Sequence, residues 1–257
     1  MNYKQIAREA RKKVLEMIHS AGTSHIGSNF SVIDIATVLY EKAKPEDKIL
    51  WSKGWAAATA YYFLSRKGII PERDLDTYCQ PESPYIGLVE PTIPGIECAG
   101  GSMGYGLPFG VGFALAKKLK KEEGKVYVIM SDGEQAIGTT WESALIAAQY
   151  KLDNLTVIVD YNGFQAMGKT NEILNIEPLI DKWRAFGWFV GVIDGNDCFN
   201  IRDGIDNMND FIGQPKILIA KTIKGKGVSF MENDNSWHYR HIDEQSYELA
   251  LKELNAI

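Results

Sequence analysis

Two periodicities alternate along this chain. Residues 3 to 19 place apolar side chains at helical spacing, and SVIDIATVLYEKA at 31 to 43 does so again, with Ser31 read as its N-cap. The short apolar run KILWS then leads into a helix expected near 53 to 66. Residues 79 to 106, CQPESPYIGLVEPTIPGIECAGGSMGYG, break both patterns. Connections of that length in a compact domain are usually functional or disordered.

From residue 107 the alternation becomes regular. LPFGVGFALAKKLKKEEG reads as a helix, KVYVIM as a strand, TTWESALIAAQYKL as a helix and LTVIVDY as a strand. After a loop come helix EPLIDKWRAFG, strand WFVGVID, a helix near 199 to 210, and strand PKILIAKT. Apolar, β-branched strands separated by helices predict right-handed βαβ units, hence an α/β fold with a parallel sheet flanked by helices on both faces. No internal repeat, low-complexity tract or linker interrupts this pattern. Beyond Gly225 the chain is mostly polar, with one last helix in DEQSYELALKEL.

Composition narrows the class. At 257 residues, 45% apolar and 24% charged, the chain can bury a large core and is expected to form one α/β domain, at most two. A net charge of −5 argues against nucleic acid and favours small molecules or other proteins as partners. The first residues lack signal-peptide zoning and no apolar run reaches about 18 residues, so no membrane association and a cytoplasmic location are expected. Cys79, Cys98 and Cys198 show neither an even count nor CxxC spacing, and read as inert thiols.

The stretch SDGEQAIGTTWES at 131 to 143 raises the question of chemistry. Asp132 follows one expected strand and Asn162 the next, and ligands of open parallel sheets collect at such carboxyl ends. If the strands are neighbours, both side-chain oxygens can converge on Mg²⁺, which takes few protein oxygens at about 2.1 Å together with phosphate oxygens. Gly133 would let the backbone approach a phosphate closely. Spacing alone favours a plainer reading: Asp132 caps a helix, Asn162-Gly163 is an ordinary turn, and Glu134 is a charge at a helix start that suits the dipole.

SDGEQAIGTTWESALIAAQYKLDNLTVIVDYNGFQAMG closely resembles the thiamine-diphosphate motif of transketolases. TSHIGSNFSVIDIATVLY, WSKGWAAATAYYFL, PGIECAGGSMGYGLPFGVGFALA, DKWRAFGWFVGVIDGND and AKTIKGKGVSFMENDNSWH match the same family in order, covering nearly the whole chain. The resemblance implies a single thiamine-diphosphate pyrophosphate-binding domain over residues 1–257. It implies that Asp132 and Asn162 bind the metal through side chains and Phe164 through its carbonyl, with Mg²⁺ replaceable by Ca²⁺ or Mn²⁺. Gly101, Ser102, Met103, Gly133, Glu134, Asn162 and His238 would meet thiamine diphosphate, and His25 and His238 would be the active-site histidines.

The same resemblance implies missing parts. Full transketolases add a pyrimidine-binding domain, which carries the cofactor-activating glutamate, and a C-terminal domain. This chain is therefore expected to be inert alone and to work with a separate pyrimidine-binding subunit in an α₂β₂ assembly, on carbonyl or sugar substrates. Three positions depart from the family. Trp55 stands where Lys-Gly-His has histidine, Leu88 where Gly-His-Pro has histidine, and Ile137 where Glu-Gly has glutamate, while Glu142 is kept. An indole accepts no hydrogen bond and leucine neither donates nor accepts. These changes predict a more apolar donor pocket that no longer rewards a hydroxyketone and leaves room for an acetyl unit from pyruvate or another 2-oxo acid, in place of the ketol unit that the resemblance implies. A non-catalytic assembly or regulatory paralogue is the alternative from a different class.

Other features have plain readings. Lys221, Lys224 and Lys226 suit phosphorylated ligands or a solvated strand end alike. Trp183 and Trp188, and the run Tyr61-Tyr62-Phe63, read as packing.

Overall fold

Five parallel strands form one sheet: β1 (Lys48–Trp51), β2 (Val126–Ser131), β3 (Leu155–Tyr161), β4 (Phe189–Asp194) and β5 (Lys216–Lys221), in the order β1-β2-β3-β5-β4. The computed structural model describes residues 2–256. Their helices are α1 (Tyr3–Ser20), α2 (Ile26–Lys42), α3 (Ala57–Arg66), α4 (Gly106–Lys120), α5 (Gly138–Gln149), α6 (Thr170–Ile173), α7 (Leu179–Ala185), α8 (Cys198–Asn209) and α9 (Glu244–Ala256). No helix among them is long and apolar enough to cross a membrane.

The strands are continuous apolar runs because both faces of the sheet are covered. Tyr127 and Ile129 of β2 pack into one core with α1, α2, α3 and α8, whereas Val126, Val128 and Met130 pack into another with α4, α5 and α7. The same alternation sends Ile158 and Leu218 one way and Val157 and Ile217 the other. Trp183 and Trp188 lie in the second core and Tyr61 and Phe63 in the first, as packing residues.

Three local expectations are corrected. Ser31 is not an N-cap: α2 begins at Ile26, and Ser31 is fully buried in it, donating to Asp160 at 2.6 Å. Tertiary burial of the IGSN turn outweighs the local capping signal, and the N-terminal flank is His25 at φ +72° with no side-chain cap. Nor is the tail merely polar, since Val228, Met231 and Trp237 are buried in the first core.

The third correction concerns Lys224, which is 1% exposed instead of solvated at a strand end. Lys221 is exposed, and Lys226 pairs with Glu232 at 3.2 Å.

The Pro- and Gly-rich segment is anchored by close backbone contact. The Gly100 N–H donates to Val89 O at 2.8 Å, and the Val89 N–H donates to Gly54 O at 3.2 Å. A Cβ on Gly54 would stand 2.2 Å from Gly100 O, so only glycine admits this crossing. The contact places residues 100 to 104 beside the turn after β1.

Candidate active site

β2 and β3 are neighbours in register, Ser131 opposite Asp160, so Asp132 and Asn162 leave the sheet side by side. Asp132 is 1% exposed. Its oxygens accept from Gly133 N–H at 2.9 Å, Gly163 N–H at 2.7 Å and Thr170 Oγ1 at 3.3 Å. Burial first, then the like charge of Asp160, pushes its carboxyl up to about 7, against Lys53 and the two backbone donors. Asn162 Oδ1 accepts from Phe164 N–H at 3.0 Å, and its Nδ2 donates to Ser31 Oγ at 3.3 Å.

These groups open into a cavity of ≈ 460 Å³ at the carboxyl ends of the strands. The cavity brings together Asp132, Asn162, Phe164, Gly133, His25 and His238, with Gly101, Ser102, Met103 and Trp55 completing its walls. A Cβ on Gly133 would stand 3.7 Å from Met103 Sδ and from Gln165 Cγ, so glycine keeps the main chain bare between two loops.

Three expected residues do not line the cavity. Leu88 is half-buried behind its wall, with Cδ1 3.7 Å from the place of a Cβ on Gly101 and its carbonyl accepting from Tyr61 Oη at 2.7 Å. Glu134 is fully buried and is not an ordinary helix-start charge. Its carboxylate accepts from Ser52 Oγ, from Gly104 N–H at 3.2 Å, and from Ser131 N–H and Oγ at 2.7 and 3.1 Å. It ties the ends of β1 and β2 to the Gly-rich loop. Burial pushes its carboxyl up while those four donors pull it down. Ile137 likewise packs outside the cavity, against Gly104.

The two histidines meet through the main chain, His25 N–H donating to His238 O at 2.9 Å. Their rings sit edge to face at 4.7 Å, and His25 stacks on Trp55 at 4.5 Å and 12°. Trp55 is 41% exposed, so the indole is open to solvent while it stacks on His25. Burial, then Lys224 and Lys53, lowers the His25 pKa to about 4. Burial, Lys224, His25 and Lys53 lower that of His238 to about 3. Both rings are neutral at physiological pH.

Sequence reasoning missed the pair beneath this floor. Lys53 and Asp160 form a buried ion pair, in which Lys53 Nζ also donates to Ser28 O at 2.9 Å and Thr222 Oγ1 donates to Asp160. The available signal was a carboxylate inside the apolar run LTVIVDY, since a charge buried in a strand needs a partner.

The donor set fits a hard divalent cation: one carboxylate, one amide oxygen and one main-chain carbonyl beside a bare glycine backbone. Lys53 pairs with Asp160, and among the described residues no ion pair is made by Asp132.

The family described as "Transketolase, thiamine diphosphate binding domain" matches residues 2–254. The chain belongs to the transketolase family. It is 39% identical over 269 residues to an apulose-4-phosphate transketolase subunit of Actinobacillus succinogenes, with 99% of this chain and 97% of that one covered. It is 36% identical over 260 residues to the 6-deoxy-6-sulfo-D-fructose transketolase subunit SqwG of a Clostridium species, covering 96% and 94%. Campylobacter jejuni transketolase superposes with a TM-score of 0.92 at 26% identity, covering 99% of this chain but 43% of that one. This transketolase-family chain thus spans about two fifths of the single-chain enzyme and nearly all of its subunit-length relatives. The parallel α/β architecture and the thiamine-diphosphate-binding class expected from sequence both stand.

Proposed function

We propose that this chain, one domain over residues 1–257, is the cofactor-binding subunit of a two-component transketolase that moves a two-carbon unit between carbonyl compounds. The observation that carries the reading is the convergence of Asp132, Asn162 and Phe164 with His25 and His238 in one cavity. Asp132, Asn162 and the Phe164 carbonyl hold Mg²⁺, or Ca²⁺ or Mn²⁺ in its place. Gly133 and the loop Gly101-Ser102-Met103 face thiamine diphosphate, with Glu134 acting on that loop from behind. Thiamine diphosphate, when bound, supplies an electron sink for carbanion chemistry at a carbonyl carbon.

His25 and His238, neutral and adjacent, offer hydrogen bonds to carbonyl and hydroxyl oxygens. Trp55 and Met103 turn the mouth apolar and exclude water. The naming of these relatives as subunits supports a separate partner, which in this reading is the pyrimidine-binding subunit of an α₂β₂ assembly. Retention of metal ligands on two separate strands speaks against a non-catalytic paralogue.

The ketol and acetyl readings divide at the donor. The names of the relatives favour a ketose donor, whereas Trp55 at the cavity wall favours pyruvate or another 2-oxo acid with a keto sugar as acceptor. Assay of the reconstituted pair with a ketose phosphate and with pyruvate decides: turnover only with the ketose phosphate removes the acetyl reading. Titration of the pair with thiamine diphosphate and Mg²⁺ tests the cofactor assignment, and absence of saturable binding would overturn it.

A further inference from the structure

The stem of Lys224 runs beneath the first turn of α2, where its Cγ lies 3.2 Å from the place of a Cβ on Gly27. The Gly225 N–H donates to Gly27 O at 3.1 Å, closing the chain over that stem. At its far end, Nζ lies 2.5 Å from Asn235 Oδ1 and 2.9 Å from His238 Nδ1. The Asn235 amide is oriented independently, because its Nδ2 donates to Ala166 O at 3.2 Å. An ammonium has three donors and no acceptor, so the imidazole nitrogen that faces it must accept. The remaining proton of a neutral ring then sits on Nε2.

We propose that Lys224 is a positioning residue that fixes His238 as the Nε2–H tautomer, so that the ring presents a hydrogen-bond donor to the substrate oxygen in the cavity. A carbonyl oxygen gains negative charge when a carbon nucleophile adds to its carbon, and a donor already in place stabilises that charge. No proton needs to be transferred. The groups facing His238 agree with a neutral ring: Lys224, His25 and Lys53 all disfavour a second positive charge there. Burial, then Lys53, draws the Lys224 ammonium down to about 8, and Asp132 and Asp160 oppose this, so it remains charged at neutral pH. The catalytic part of the inference rests on the transketolase reading of the cavity; the tautomer does not.

The test is nitrogen NMR of ¹⁵N-histidine-labelled full-length chain, free and with its partner. Wild-type His238 should show a protonated Nε2 and a bare Nδ1. Lys224→Met, which keeps the stem and removes the donor, should give a mixture of tautomers. In the reconstituted enzyme it should lower kcat about tenfold or more, a larger loss than any in thiamine diphosphate affinity. A wild-type ring protonated on Nδ1 overturns the inference without any variant, as does Lys224→Met with tautomer and kcat both unaltered. Should that variant not fold, the wild-type spectrum decides. An enzyme inactive with every ketose and 2-oxo acid would count against the transketolase reading and leave the tautomer result standing.

Discussion

The imidazole of His25 lies flat on the indole of Trp55, with centroids 4.5 Å apart and planes within 12°. The indole offers its face to the ring and its other side to the cavity mouth, so the position where the family has histidine supplies area and no acceptor. Trp55→His should raise the rate with a ketose phosphate relative to pyruvate by about tenfold, the scale of one added hydrogen bond to a substrate hydroxyl. Parallel kcat/KM measurements on the reconstituted pair check this. An unchanged ratio would place donor selection elsewhere.

Asp132→Ala should lower thiamine diphosphate affinity in the presence of Mg²⁺ by more than about a hundredfold, because it removes the only carboxylate assigned to the metal. Calorimetric titration reads it directly. Asp132→Asn, isosteric and neutral, should lose nearly as much if charge on the cation is what matters.

Gly54→Ala should disturb the cofactor loop without touching any assigned ligand. Its Cβ would stand 2.2 Å from Gly100 O and 2.4 Å from Gly100 Cα, both backbone atoms that cannot step aside alone. Weaker thiamine diphosphate binding together with a melting temperature lower by several degrees is expected, since about 1 kcal/mol moves Tm by about 2–4 °C in a chain of this size. Wild-type values for both would show that the crossing relaxes freely.

Asp160→Ala should be severely destabilising, by about 3–5 kcal/mol, because it strands Lys53 as a buried charge. The double variant Lys53→Met, Asp160→Leu should recover part of that loss. Urea midpoints for wild type, the single variant and the double variant test this, and a double variant no more stable than Asp160→Ala would mean that the single change does not strand Lys53.

The histidines set a pH dependence. The folded-state pKa values of His25 and His238, about 4 and about 3, lie below the 6.5 of free imidazole. The stability tied to their neutral form is therefore fully present above about pH 6.5 and is lost as pH falls toward those lowered values. Between pH 7 and 5, the stability of wild-type protein should drop more than that of His25→Gln, measured by denaturant unfolding. Equal slopes would contradict the burial assigned to His25.

Much of the site was legible because its residues lie in contiguous strings. VYVIMSDG and LTVIVDYNG each carry a strand and the ligand at its end, so strand periodicity alone delivers Asp132 and Asn162 to the same edge. Glu134 was misread for the complementary reason. Its burial depends on Ser52 and Gly104, which no local pattern places beside it. For Lys224 the sequence left a ligand-facing lysine and a solvated strand end equally open, and only the docking of Asn235 and His238 against its amine encloses it.

By itself the sequence determined the strand and helix order, the parallel sheet and the family motif, because apolar periodicity and short strings of residues are local properties of a chain. The tertiary structure decided what is charged, neutral or shielded within the cavity: the Lys53–Asp160 pair, the clamp of Glu134 and the contact of Lys224 with His238. Those depend on residues far apart in sequence meeting where water is excluded, and desolvation there governs which charges survive and which nitrogen holds a proton.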